Sequence, residues 1–322
     1  MIKALSEEIE GAISSIQLPD TYPGLYDPIS YTLDLGGKRI RPLLVLLGAK
    51  FVSDNHGKAM NQAIGLEIFH NFTLVHDDIM DDAPLRRGKT SVFKKWNSNA
   101  AILSGDVMFA ISVDYISRCD NQTLPFVLKD FLDSTVKVCE GQHLDMNFEL
   151  RSHVAMEDYL HMIELKTAWL LAASIKIGAR IGGASNQVAE ALFQYMMKAG
   201  TAFQLMDDYL DAYGDPDKFG KQVGGDILAG KKTFLFIRSL DLSSKQDHNR
   251  LLELYSHDYK RSSNEVAEVK GIFERSGAKA DILRSSDELL SQSFGILSGL
   301  NGSDEVKAEL INLTSQLINR EK

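Results

Sequence analysis

The stretch Ile64-Gly-Leu-Glu-Ile68-Phe-His-Asn-Phe72-Thr-Leu-Val75-His-Asp-Asp78 decides the fold. Its apolar residues Ile64, Ile68, Phe72 and Val75 recur at spacings of four and three, the period of one face of an α-helix. It lies in a segment, Ala59 to Asp82, that holds no proline, the residue that interrupts helices. Ala189, Leu192, Met196 and Phe203 repeat the pattern inside a longer proline-free span between Pro125 and Pro216. No region alternates with the period of two that marks a half-buried strand. The expected fold is all-α, a large bundle of long helices.

The rest of the composition agrees. The chain has 322 residues, 44% hydrophobic and 25% charged, which suits a folded globular protein and excludes a disordered one. No repeat, low-complexity segment or interdomain linker is visible, so residues 1–322 read as a single domain. The two cysteines, Cys119 and Cys139, cannot make a disulfide framework, and a reducing compartment is expected. The start, Met1-Ile-Lys-Ala-Leu-Ser-Glu-Glu-Ile-Glu10, lacks the apolar core of a signal peptide. The early apolar run Pro42 to Lys50 is too short to span a bilayer. The expectation is a cytoplasmic protein without a transmembrane segment. A net charge of −9 speaks against nucleic acid as a partner. Taken in bulk it also speaks against phosphate-bearing ligands.

Local chemistry reverses that last inference. In His76-Asp77-Asp78-Ile79-Met80-Asp81-Asp82, a helix places Asp77 and Asp81 one turn apart on one face, with Asp78 about 100° round. Like charges so placed destabilise a helix unless a cation intervenes. Hard carboxylate oxygens suit Mg²⁺, which takes one or two carboxylates and fills its shell with water and phosphate oxygens. Asp207-Asp208-Tyr209-Leu210-Asp211 repeats the Asp-Asp-x-x-Asp spacing at the end of another apolar helical run. One such cluster reads equally well as a solvated helix end. Two suggest a pair that clamps a bridging anion through metal ions.

Cations stand near both clusters. Gly36-Gly37-Lys38-Arg39-Ile40-Arg41-Pro42 precedes a helical run, and its backbone N–H groups together with Lys38 and Arg41 suit a diphosphate. Arg86-Arg87-Gly88 follows the first cluster. The glycine-rich stretch Gly214 to Gly230, continuing to Lys231-Lys232-Thr233, follows the second and carries Lys221 and Lys231. It reads as a plain connector or as a lid that closes on phosphates.

Together these motifs resemble the trans-isoprenyl diphosphate synthase (polyprenyl synthetase) family, over most of the chain from Gly36 to about Thr233. The resemblance rests on the Gly-Gly-Lys-x-x-Arg-Pro box, both Asp-rich motifs, Arg86-Arg87-Gly88, Lys166-Thr167, Phe203-Gln204, Gly220-Lys221 and Lys231. It implies a large all-α bundle with a central active-site cavity, usually a homodimer. It implies a head-to-tail condensation of isopentenyl diphosphate with an allylic diphosphate on about three Mg²⁺ ions. Asp77, Asp81 and Asp207 match the metal-holding positions, with Asp78, Asp208 and Asp211 supporting. Arg86, Lys166 and Lys231 match contacts to the allylic diphosphate, and Lys221 a lysine near it. Gly37, Lys38, Arg41, His70 and Arg87 match the isopentenyl diphosphate site. Thr167 and Gln204 match positions whose oxygens face the allylic cation.

The chain departs from the family where Arg-Arg-Gly is often followed by x-Pro-Thr-x-His. Here Lys89-Thr90-Ser91-Val92-Phe93 follows, which bears on the packing of that loop. Residues four and five before Asp77, Thr73 and Phe72, match the family's chain-length ruler. An aromatic at the fifth position alone, with no insertion in the first Asp motif, resembles synthases of C20 products, with C15 the near alternative.

Three other readings compete. Glu67-x-x-His70 and Glu140-x-x-His143 form part of a ferritin-like di-iron signature. A class I terpene cyclase would share the first Asp motif, but it needs no isopentenyl site and usually carries an Asn/Ser/Glu second motif. A non-catalytic partner subunit would commonly have lost an Asp motif.

Overall fold

The computed structural model describes residues 1–214, 223–256, 259 and 261–318. Its regular structure is helical apart from one two-residue antiparallel hairpin, β1 (Leu85–Arg86) with β2 (Lys89–Thr90). The all-α expectation therefore holds. The chain divides into two compact units, each assembled from separated stretches of sequence.

The first unit comprises 1–133, 173–193 and 300–310. Helix α1 (Ile2–Ser14) turns Leu5, Ile9 and Ile13 inward, one residue per turn. After α2 (Pro23–Asp34) comes α3 (Ile40–Val52), which is buried all round from Pro42 to Ala49. That explains why the apolar run near residue 42 shows no polar face: it is a core helix. Helix α4 (Met60–Met80) carries the stretch from Ile64 to Asp78; Ile64, Ile68 and Val75 are buried, Phe72 is half-buried, and Gln62 to Phe69 are buried all round.

Its most extensive neighbour is α6 (Ser98–Ser117), reached through a short helix α5 (Val92–Lys95). The amide of Gln62 at the start of α4 donates to the carbonyls of Ile116 and Arg118, both at 3.1 Å. Helix α6 alone among the described residues is long and apolar enough to cross a membrane, and a third of its most apolar window is buried. It packs along α4 and α2 through Ala101, Ser104, Met108 and Ser112. Helix α7 (Leu124–Leu150) begins in this unit, and α9 (Trp169–Ile181) ends in it. Arg180 and Lys176 on α9 both pair with Asp130 on α7.

The second unit comprises 134–172, 194–299 and 311–322. It holds the rest of α7, then α8 (Met156–Ile163) and most of α10 (Asn186–Tyr213). Helices Phe234–Leu242, Lys245–Leu254, Ser263–Arg275 and Ala278–Ser298 follow. Phe148, Tyr159, Phe234, Phe236, Leu251 and Phe273 form its core. Phe236 stacks on Tyr255 at 4.0 Å between ring centres. The helix at Ser263 starts in a capping box: Ser262 caps the first turn, and Glu265 Oε2 accepts from the Ser262 N–H at 2.8 Å.

Candidate active site

The first Asp motif sits where α4 ends. The N–H of Asp81, just beyond the helix, donates to the carbonyl of Asp77 at 2.8 Å. Asp82 then takes a left-handed conformation, φ 47°, which aspartate tolerates better than most residues. The chain turns back through the hairpin, whose central residues Arg87 and Gly88 both have positive φ, as a tight two-residue turn requires.

This return brings Arg86 to Asp78. Its Nε and Nη2 both donate to Asp78 Oδ1, at 2.9 and 2.5 Å. Asp78 is 2% exposed. Burial raises its pKa, with the Arg86 hydrogen bond opposing. Asp77 is half-buried and Asp81 exposed. Thr90 lies on β2 opposite Leu85, and its carbonyl accepts from Tyr31 at 2.8 Å.

Arg87 lies over Gly37 and donates from Nη1 to the carbonyl of Gly36. The φ of 143° at Gly37 favours glycine, and a Cβ there would fall 2.9 Å from the guanidinium carbon and displace it. Lys38 is exposed just ahead of α3. Arg41 on the first turn of α3 has a buried Nε with no hydrogen-bond partner, and burial pushes its pKa down to about 10. Burial first, then Arg41, Arg87, Arg86 and Arg39, hold the imidazole of His70 well below its ordinary value. The result is a neutral histidine among cations, near an arginine N–H without a hydrogen-bond partner.

Arg39, between Lys38 and Arg41, does something else. It points into the core, donating from Nη1 to Glu67 Oε1 at 2.7 Å and from Nε to Glu10 Oε1 at 3.0 Å. Glu67 is thereby spent, also accepting from Asn71 at 3.0 Å. Glu140 pairs with Lys137 at 2.7 Å on an exposed face. Neither carboxylate of the two Glu-x-x-His pairs is placed as an iron ligand.

Phe72, one turn and a residue before Asp77, joins a ring cluster with Phe69, His76 and Phe109 at 5.6, 4.7 and 5.8 Å. Phe131 extends it against Phe69 at 5.2 Å. The Thr73 hydroxyl is tied back to the carbonyl of His70 at 2.8 Å.

In the second unit, a cavity of about 260 Å³ collects Lys166, Thr167, Gln204, Lys231 and all three aspartates of the second motif. Lys166 and Thr167 lie on a π-helical turn, Glu164–Ala168, between α8 and α9. The wider turn is accommodated because α7 carries glycine at 141, where a Cβ would fall 2.7 Å from the Lys166 Cα. Lys166 Nζ reaches Asp145 Oδ2 at 2.5 Å. Asp208 is buried, accepting from Tyr159 at 2.5 Å and from Gln204 at 3.0 Å, while Asp207 and Asp211 are half-buried. Asp211 accepts from the N–H of Asp226 at 2.8 Å.

Burial, with Asp211, Asp207 and Asp145 nearby, pushes the Asp226 carboxyl up to about 6, against the pull of Lys231. Asp208 is raised too, by burial and then by Asp226. Lys221 lies outside the described residues, as does residue 220.

Asp145, Tyr159, Asp226 and Lys232 also line this cavity and were not singled out from the sequence. Asp226 follows Gly224-Gly225 in what reads as loop. A short helix, Gly225–Ala229, instead turns it toward Asp211. Asp145 is two residues past His143 on α7.

The two motifs share one arrangement. The middle aspartate of each is buried and held by protein donors, and the outer two, one turn apart, lie nearer solvent. That donor set fits Mg²⁺. Among the described residues no three His, Cys, Asp or Glu side chains converge to hold a metal alone. Mg²⁺ needs no such cage when phosphate oxygens complete its shell.

Each Asp motif stands beside cations, Arg86 at the first and Lys166 and Lys231 at the second. A polyprenyl synthetase family model matches residues 22–274. A short chain isoprenyl diphosphate synthase of Methanothermobacter thermautotrophicus is 42% identical over 273 residues, 84% of this chain and 82% of that protein. A geranylgeranyl diphosphate synthase of Methanosarcina mazei is 42% identical over 250 residues, 76% of each chain. A crystal structure of a geranylgeranyl pyrophosphate synthase matches with TM-score 0.92 at 39% identity, covering 100% of this chain and 99% of that one. The chain belongs to the polyprenyl synthetase family, the trans-isoprenyl diphosphate synthases.

Proposed function

We propose that the chain, acting as one synthase domain, condenses isopentenyl diphosphate head-to-tail with an allylic diphosphate (dimethylallyl, geranyl or farnesyl) and releases a C20 product. The observation that carries this is the shared arrangement of the two Asp motifs, each beside lysine or arginine. The C20 length rests on Phe72 with its ring cluster and on the names of the relatives above. C15 is the near alternative.

Asp77, Asp81 and Asp207 would hold Mg²⁺, with Asp78, Asp208 and Asp211 supporting. When bound, about three Mg²⁺ ions supply the positive charge that stabilises a departing diphosphate. Arg86, Lys166, Lys231 and Lys221 bind the allylic diphosphate and offset the charge that grows on it as the C–O bond breaks and the electron pair leaves with oxygen. Thr167 and Gln204 turn oxygen dipoles to the allylic cation without trapping it as a nucleophile would. Gly37, Lys38, Arg41, His70 and Arg87 hold isopentenyl diphosphate, whose double bond attacks the cation. The new cation loses a proton to the released diphosphate, so no protein base is needed. Phe72 and Thr73 limit how far the chain extends along α4.

The protein acts as a cytoplasmic homodimer in this reading. Ile102 and Leu103 on the apolar helix α6 are 42% and 57% exposed, which suits a second copy of the chain.

The test is alanine substitution of Asp77 or Asp207. Each should cut turnover by orders of magnitude while circular dichroism stays helical. Near-normal turnover in either variant would overturn the metal assignment.

A further inference from the structure

Four side chains in the second unit form one hydrogen-bonded chain with a fixed direction. Tyr159 on α8 donates its hydroxyl to Asp208 Oδ2 at 2.5 Å. Gln204, one turn before Asp208 on α10, donates Nε2 to Asp208 Oδ1 at 3.0 Å. Thr167 on the π-helical turn donates its hydroxyl to Gln204 Oε1 at 2.9 Å. Tyr159 is 1% and Asp208 7% exposed, while Thr167 and Gln204 border the cavity.

The direction is set by the donors: the amide nitrogen of Gln204 faces Asp208 Oδ1. The amide oxygen then faces the other way, toward Thr167. A hydroxyl has one proton, and Thr167 spends it on that oxygen. Its lone pairs are left for whatever lies on its remaining side. Reversing the amide would set Oε1 against the carboxylate and turn the threonine proton loose.

We propose that Asp208 and Tyr159 are positioning residues: they lock the Gln204 amide so that Thr167 presents lone pairs, and not its proton, to the allylic cation. This rests on the proposed prenyl transfer and specifies what the buried aspartate of the second motif supports. A lone pair aimed at the cation lowers the barrier to C–O cleavage, whereas a hydroxyl proton aimed there raises it. A dipole fixed beforehand costs no reorganisation during the reaction. Asp207 keeps the metal-holding role, with Asp211 supporting. Asp208 acts through hydrogen bonds instead.

A double-mutant cycle tests the assignment. Turnover of isopentenyl and allylic diphosphate is measured with Mg²⁺ titrated, for the unaltered protein, Asp208→Asn, Thr167→Val and the double variant. Asp208→Asn should lower kcat about tenfold or more, with both KM values and the half-saturating Mg²⁺ concentration within about twofold of the original. Thr167→Val should show a similar loss, and Thr167→Ser, which keeps the hydroxyl, should retain most of the activity. The double variant should be no worse than the poorer single by more than about twofold, because the two residues act as one unit.

Multiplying losses, or an increased Mg²⁺ requirement in Asp208→Asn, would overturn the proposal. Tyr159→Phe, which removes one donor and keeps the ring, gives a second reading if Asp208→Asn folds poorly. It should lower kcat several-fold at unchanged Mg²⁺ dependence, and unaltered kcat would count against the relay. No prenyl product from the unaltered protein would instead defeat the underlying reaction, so the two failures are distinguishable.

Discussion

The guanidinium of Arg39 meets the carboxylate of Glu67 at 2.7 Å with both side chains at least 96% removed from solvent, 4% and 2% exposed. A buried pair of this kind is worth little against an apolar replacement, but breaking it strands a charge, at about 3–5 kcal/mol. Arg39 further donates to the Leu33 carbonyl at 2.8 Å, so its loss would also open the entry to α3. Glu67→Gln should therefore lower the stability of the protein by roughly 3 kcal/mol, read as the denaturant midpoint at unchanged slope. An unmoved midpoint would show that the pair does not hold the first unit together.

The same pairing bears on metal content. With Glu67 and Glu140 both committed to basic partners, the purified protein should carry no stoichiometric iron by elemental analysis. Iron at one or two atoms per chain would reopen the di-iron reading.

Asp82 gives an internal control for the first motif. It is exposed, lies beyond the end of α4 and pairs with Lys94 at 2.7 Å on the surface. Surface pairs contribute about 0–1 kcal/mol. Asp82→Ala should leave turnover within a few-fold of the original, whereas Asp77→Ala loses at least about a hundredfold, as expected when a group that stabilises departing charge is removed. Equal losses at the two positions would mean that the cluster works through bulk charge alone.

Phe72 faces a ring cluster rather than open space. In Phe72→Ala the next obstacle along α4 is Phe69, three residues and about 4.5 Å further, fully buried against Phe131 and Phe109. The product should lengthen by about one five-carbon unit, since one helical turn spans about 5.4 Å. Chromatography of the dephosphorylated products checks this. An unchanged distribution would remove Phe72 from the ruler.

His70 supplies a pH signature. Burial and four arginines keep it neutral in the folded protein, below its ordinary value of 6.5. The unfolded chain therefore takes up the proton first as pH falls. The stabilisation is complete above about pH 6.5 and is lost as pH drops through the folded value. His70→Gln should flatten the stability profile below pH 6.5 relative to the original protein and leave it parallel above. Parallel profiles throughout would show that His70 titrates normally.

Much of this was legible in the sequence because helices and Asp-rich motifs are local. The three-and-four spacing of Ile64, Ile68, Phe72 and Val75 marks the helix but not its buried face, since α4 is buried all round from Gln62 to Phe69 and Phe72 is half-buried, and Asp-Asp-x-x-Asp needs only one helical turn to be read. What escaped depends on distance along the chain. Nothing near Tyr159 announces Asp208, which is 49 residues away. Asp145 and Lys166 meet across 21 residues through a π-helical turn that no periodicity reveals. Arg39 sits between two phosphate-facing candidates yet turns inward. Its backbone is left-handed, φ 47°, and its side chain is buried against Glu67. The bulk charge of −9 misleads for a related reason. Phosphate recognition depends on the local cations and on the metal ions that the aspartates hold, not on the sum over the chain.

The most direct test is incubation of the purified protein with isopentenyl diphosphate, Mg²⁺ and, in turn, dimethylallyl, geranyl or farnesyl diphosphate, with product length read by chromatography. The account predicts a C20 prenyl diphosphate from at least one primer, and nothing when Mg²⁺ is chelated. Absence of any prenyl product from every primer would contradict it.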